Sequence, residues 1–284
     1  MKLRNAGAEI WVPDGAPVPD ALSRTTHLGI SAHQDDLEIM AYSGILDCFG
    51  RADRWFTGVV VTNGAGSERS GPYAAYTDEQ MREVRKQEQK KAGFVGDYAA
   101  VVLLDYTSQE TKDPAAETVV GELRELVRQC RPEVLFTHNL ADKHDTHVAT
   151  ALRVIEACRG LPAEARPRRV LGGEVWRDLD WMNDRDKVAL DVQARESLAL
   201  ALLGVFDSQI TGGKRYDLAT LGRRRAHATY HESHGLDVTT ALTFAMDLTP
   251  LVADVSLDPR VYAQGFIDRF AAEVRARLDR LRRD

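Results

Sequence analysis

His33 and Asp36 stand three residues apart, with Asp35 between them, in the run Ala32-His33-Gln34-Asp35-Asp36-Leu37-Glu38. A second run, His138-Asn139-Leu140-Ala141-Asp142-Lys143-His144-Asp145-Thr146-His147, supplies three more histidines. Imidazole nitrogen and carboxylate oxygen suit a catalytic zinc, which usually takes three protein groups and leaves a fourth position open. At a strand-to-helix turn His33 and Asp36 can serve one ion together, leaving Asp35 free for proton work. A third ligand must come from elsewhere, and His144 and His147, one helical turn apart, can both face the same crevice. Each residue also has an ordinary reading: an Asp at a helix start caps it, and a lone His after a strand is a hydrogen-bonding residue. Two such clusters at two strand ends make coincidence the weaker explanation.

These residues need a scaffold that gathers strand ends. Apolar, β-branched runs at 25–31, 56–62, 98–104 and 133–137 read as buried strands of a parallel sheet. Helical spacing at 37–49, 77–93, 115–130 and 146–158 separates them, with Arg131-Pro132 stopping the third helix. The expected fold is α/β: a Rossmann-like, mostly parallel sheet with flanking helices and a C-terminal subregion from about residue 160. Ligands of such sheets bind beyond the carboxyl ends of the strands. Both His/Asp runs, Asn63-Gly64-Ala65-Gly66 and Asp105 occupy those ends. Residues 1–24, rich in Pro, Gly and Ala, read as a loosely structured arm, and 25–284 as one domain. Beyond 160 the pattern allows strands at 169–176 and 187–192 and a helix at 194–205. Asp258-Pro259 then opens a helix whose stripe Phe266, Phe270, Val274, Leu278 and Leu281 docks on the body, a homo-oligomer seam being the alternative.

Net charge −6, 44% hydrophobic and 28% charged residues exclude a disordered chain. The longest apolar run, Leu198 to Phe206, is about half of what a bilayer span needs, so no membrane segment is expected. Glu9, Asp14 and three prolines interrupt any secretory leader, which points to the cytoplasm. Cys48, Cys130 and Cys158 lack C-x-x-C spacing and read as reduced, packed thiols. An acidic chain without a basic stripe is a poor partner for nucleic acid. Gly64 to Arg69 has Arg where a dinucleotide fingerprint requires its third Gly, so it shapes a pocket rim instead. Asn63, Arg69, Tyr73 and Tyr76 are the substrate-contact candidates there, and Trp176 and Trp181 the candidates for a sugar-binding wall. His231-Glu232-Ser233-His234 is one residue short of H-E-x-x-H; with His227, these histidines read as hydrogen-bonding residues.

The first run resembles the A/P-H-x-D-D-x-E motif of the LmbE-like, or PIG-L, family of zinc-dependent N-deacetylases at every defined position. Thr137-His138 with Asp142-x-His144-x-x-His147 is similar to the family's second motif, and Arg85-x-x-Glu88 and Ser208-Gln209 also look like family features. The resemblance spans roughly residues 26–209. It implies one zinc per chain held by His33, Asp36 and His147, with Asp35 as general base. It further implies that His144 helps the developing oxyanion or the leaving amine. The family commonly has His-Pro-Asp-His where this chain has His144-Asp145-Thr146-His147, so the carboxylate before the last His is missing. Asp142, two residues before His144, is the expected substitute orienter, ahead of Asp105, Asp145 or a backbone carbonyl. Zinc would then be unaffected by Asp142→Asn.

The function expected on this resemblance is removal of an N-acetyl group from an amino sugar or its conjugate, a small-molecule partner. Zinc-activated water also suits a hydratase or another amidase. The non-enzymatic rival is a small-molecule binding protein whose carboxylates only cap helices.

Overall fold

The computed structural model describes residues 2–282. In chain order its elements are β1 (Glu9–Trp11), α1 (Val18–Ser23), β2 (His27–Ser31), α2 (Asp36–Met40), α3 (Tyr42–Cys48), β3 (Phe56–Thr62), α4 (Asp78–Val95), β4 (Ala100–Tyr106), α5 (Ser108–Lys112) and α6 (Glu117–Cys130). There follow β5 (Val134–His138), α7 (Asp145–Arg159), β6 (Arg169–Gly173), β7 (Lys187–Asp191), α8 (Glu196–Gly204), α9 (Asp207–Ile210), α10 (Tyr216–Tyr230), β8 (Leu242–Asp247), α11 (Thr249–Ala253) and α12 (Pro259–Leu281), with short 3-10 turns between. The eight strands form one sheet in the order β1-β4-β3-β2-β5-β6-β8-β7. Strands β4, β3, β2, β5 and β6 run parallel, whereas β1 pairs antiparallel with β4, and β8 with both β6 and β7.

All residues of β2 and β3 are buried, because helices cover both faces of the sheet. Apolar side chains from α1, α6, α7 and α11 fill one interlayer. Those from α2, α3, α4 and α8 fill the other. The chain steps outward from β2 to β3 and β4 and then returns to place β5 on the other flank of β2. That reversal opens a crevice between β2 and β5, and both His/Asp runs leave the sheet there.

Four sequence expectations shift. The helix expected over 37–49 is two helices meeting at Ala41, because Arg224 Nη2 donates to the carbonyls of Glu38 (2.9 Å) and Ile39 (3.2 Å), which a continuous helix would pair internally. The arm 1–24 holds β1 and α1; a three-residue strand carries too little alternation to read. β8 was unassigned in the sequence and inserts between β6 and β7. Helix α12 begins on its expected Asp258 cap, but Phe266 is its one fully buried residue, so it is docked near its base while Leu278 and Leu281 stay exposed. The three cysteines are free and buried, and no described helix is long and apolar enough to cross a membrane.

Candidate active site

The turn after β2 is tied down from both sides. The Ala32 amide donates to His138 Nε2 at 2.8 Å, and the His33 amide donates to Asp36 Oδ2 at 2.7 Å. His33 Nδ1, Asp36 Oδ2 and His147 Nε2 then converge: Nδ1 to Nε2 is 3.1 Å, and each nitrogen lies 3.3 Å from the carboxylate oxygen. Ligands about 2.0–2.1 Å from a tetrahedral zinc stand roughly 3.3 Å from one another, so these three atoms fit the corners of one metal site. Asp36 and His147 are buried, while His33 faces the cavity beside them. His138 Nε2 is also 3.5 Å from Asp36 Oδ2, but it is occupied by the Ala32 amide. Its ring stacks on His147 with centroids 3.9 Å apart, making it a buttress. Burial holds the His138 pKa well below the ordinary imidazole value, reinforced by the neighbouring His147.

Asp35 is 7% exposed and has φ +83°, a backbone region that non-glycine residues adopt at a cost. Its Oδ2 is 2.9 Å from Arg85 Nη2. Arg85 is itself buried, pairs through Nη1 with Glu88 Oε2 at 2.9 Å, and donates to the Gln34 carbonyl. Glu88 in turn accepts from the Ser208 amide (2.7 Å) and hydroxyl (2.8 Å). The Arg-x-x-Glu spacing on α4 and the Ser208-Gln209 pair thus form one buried network that ends on Asp35. Burial pushes the Asp35 carboxyl up to about 7 against the pull of Arg85, with Asp36 and Glu88 pushing the same way as burial. A carboxyl poised there can exchange a proton near neutral pH.

His144 caps α7: its Nδ1 accepts the Thr146 amide at 3.3 Å. That contact fixes the ring with Nε2 as its N–H, a neutral donor toward the cavity. Burial lowers the His144 pKa, as do His147 and His33. Asp142, expected beside the His144 ring, is elsewhere. Its Oδ1 accepts the His144 backbone amide at 3.0 Å and lies 3.5 Å from His147 Nδ1, and its Oδ2 accepts the Trp176 amide at 3.1 Å. Burial opposes the Asp142 carboxylate, but the facing His147 ring and the His144 amide hold its pKa down at about 2. Asp105, the alternative partner, is engaged by Arg82.

A cavity of about 730 Å³ opens over these groups. Its rim includes the loop from Asn63 to Glu68. Gly64 there has φ +72°, and a Cβ on it would lie 2.6 Å from Gln34 Oε1 and 3.0 Å from Arg85 Cβ. Only glycine lets that loop close over the network.

Residues 28–158 match the family PIG-L: GlcNAc-PI de-N-acetylase. That stretch runs from β2 into α7 and holds both His/Asp runs. No curated protein matches it in sequence. Its fold is similar to that of 4-carboxy-2-hydroxymuconate hydratase from Pseudomonas putida KT2440 (TM-score 0.60, 18% identity, covering 79% of this chain and 96% of that one). It is also similar to N,N'-diacetylchitobiose deacetylase from Pyrococcus horikoshii (0.58, 17%, 78% and 83%) and to the A40926 pseudoaglycone deacetylase (0.54, 16%, 79% and 97%).

His33, Asp35, Asp36, His144 and His147 all lie within the matched residues, and the fold gathers them around one crevice. Asn63 and Trp176 line the cavity, but Arg69 does not: it is held by Asp78 and by the Ala65 and Tyr76 carbonyls. Tyr73 is spent on Asp207 at 2.6 Å, Trp181 packs against Phe270, and buried His227 lies 3.0 Å from Glu174. Beyond the matched core, Tyr216, Ala219, Thr220 and Arg223 form a cavity wall that the sequence reading missed. Their i, i+3, i+4, i+7 spacing marks one face of α10, the signal that was available.

Proposed function

We propose that the chain is a zinc-dependent hydrolase that removes the N-acetyl group from an amino sugar or its conjugate, with one zinc held by His33, Asp36 and His147. The observation that carries the reading is the convergence of those three ligand atoms at 3.1 and 3.3 Å with the Asp35 carboxyl alongside. Zinc held by these residues would supply Lewis-acid chemistry, making water more acidic and polarising an amide carbonyl, as hydrolysis of an inert N-acyl bond demands. Asp35, held by Arg85 at 2.9 Å, takes the proton of the attacking water and returns it to the leaving amine. His144, oriented by the Thr146 amide, donates from Nε2 to the carbonyl oxygen as charge develops on it. Asp142 holds His147 in the tautomer that leaves Nε2 free for the metal.

The PIG-L match and the fold shared with two deacetylases support N-deacetylation. The fold shared with a hydratase makes addition of water to a double bond the rival. A panel of N-acetylglucosamine conjugates incubated with zinc-reconstituted protein separates the two. The proposal expects acetate and primary amine in equal amounts; hydration of an unsaturated carboxylate with no acetate from the panel overturns it.

A further inference from the structure

Lys112, Lys214 and Arg223 all line the cavity, and among the described residues none of them has a carboxylate within ion-pairing distance. Arg85, the fourth lining cation, is spent on Asp35 and Glu88. Outside the His/Asp cluster, Glu68 is the single lining carboxylate. A chain of net charge −6 thus keeps uncompensated positive charge at the mouth of its site. Two of these cations belong to one wall. Arg223 Nη1 donates to the Val175 carbonyl at 2.6 Å, and its other donors have no partner among the described residues. Lys214 Nζ stands 5.2 Å over the Trp176 ring, which meets Tyr216 edge-on at 5.9 Å. The backbone anchor leaves part of the half-buried guanidinium fork for a ligand, and a fork fits the paired oxygens of a carboxylate or phosphate. Neutral sugar hydroxyls require no such charge.

We infer that the substrate carries an anionic group, a carboxylate or a phosphate ester, distal to its N-acyl end, and that Arg223 and Lys214 receive it. This rests on the deacetylase reading of the same cavity. Lys112 follows β4, on the other flank of β2 from the wall, and adds to the attracting field. The residues that read this group lie outside residues 28–158, so the catalytic core and the selectivity for the aglycone occupy different parts of the chain.

The test compares three N-acetylglucosaminides whose aglycones end in a methyl, a carboxylate or a phosphate group, by calorimetric Kd and by acetate release on the zinc-loaded protein. At least one anionic ligand should bind about tenfold or more tighter than the methyl glycoside, with an advantage that shrinks as salt rises. The tighter of the two identifies the source of the charge. Arg223→Gln should narrow that ratio, and Lys214→Gln, on an exposed loop where folding is not at stake, should narrow it as well. Equal Kd values for all three ligands, no binding of any, or ratios unmoved by both variants overturn the inference. Anion-selective binding without acetate release retains the anion subsite and overturns the deacetylase reading instead.

Discussion

Asp142 stands behind His147: its Oδ1 lies 3.5 Å from His147 Nδ1, while Nε2 of the same ring meets His33 and Asp36. His147 Nδ1 is buried and has no other partner among the described residues. A carboxylate behind a ligating imidazole fixes its tautomer and raises its basicity. Asp142→Asn should therefore weaken zinc binding by about 10- to 100-fold in a chelator competition, the usual range for such an outer partner. Unchanged zinc affinity with a loss confined to turnover would return Asp142 to the His144 role expected from sequence spacing.

Asp35→Asn should keep zinc and fold while lowering turnover by about a hundredfold or more, the order expected for loss of a general base. Zinc content and acetate release measured on the same sample check this. Near-normal turnover at full zinc would remove Asp35 from the chemistry.

Glu38 accepts from Tyr98 (2.7 Å) and Gln89 (2.9 Å) through Oε1, while Oε2 is buried without a partner among the described residues. Burial pushes its pKa from 4.5 to about 8. Between those values the folded protein keeps a proton that the unfolded chain releases, so this group's contribution to stability falls as pH rises from about 4.5 to 8. Glu38→Gln imitates the protonated form and should flatten that slope, gaining at most about 4 kcal/mol over wild type at pH 8 and little at pH 4. Urea unfolding across this range reads the difference; parallel curves for the two proteins contradict it.

Arg85 compensates Asp35 and Glu88 at once, all three being buried. Arg85→Gln strands two carboxylates and should cost about 3–5 kcal/mol at pH 8, less at pH 5 where Asp35 accepts a proton. A loss below about 1 kcal/mol at pH 8 would mean that the network is not a structural support.

The His33-Asp36 turn was legible because its residues are local, following a fully buried strand. His147 came with it because the run His138 to His147 resembles a single family motif. Asp142 was misread since sequence proximity to His144 says nothing of direction: its carboxylate takes the His144 backbone amide and turns toward the ring five residues on. Asp35 and Arg85 are 50 residues apart, and only the sheet order brings α4 against the turn after β2. The α10 wall had periodicity but no neighbouring motif to assign it to a cavity, and β8 follows a long irregular stretch that gave no alternation to read.

The most direct measurement strips the protein with a chelator, restores zinc in graded amounts and records bound metal and acetate release from an N-acetylglucosamine conjugate together. Release should rise in proportion to zinc and saturate at one ion per chain, and His147→Ala should hold no zinc at the saturating dose. Acetate released at the full rate by the stripped protein, or a His147→Ala variant that binds zinc as well as wild type, would contradict that expectation.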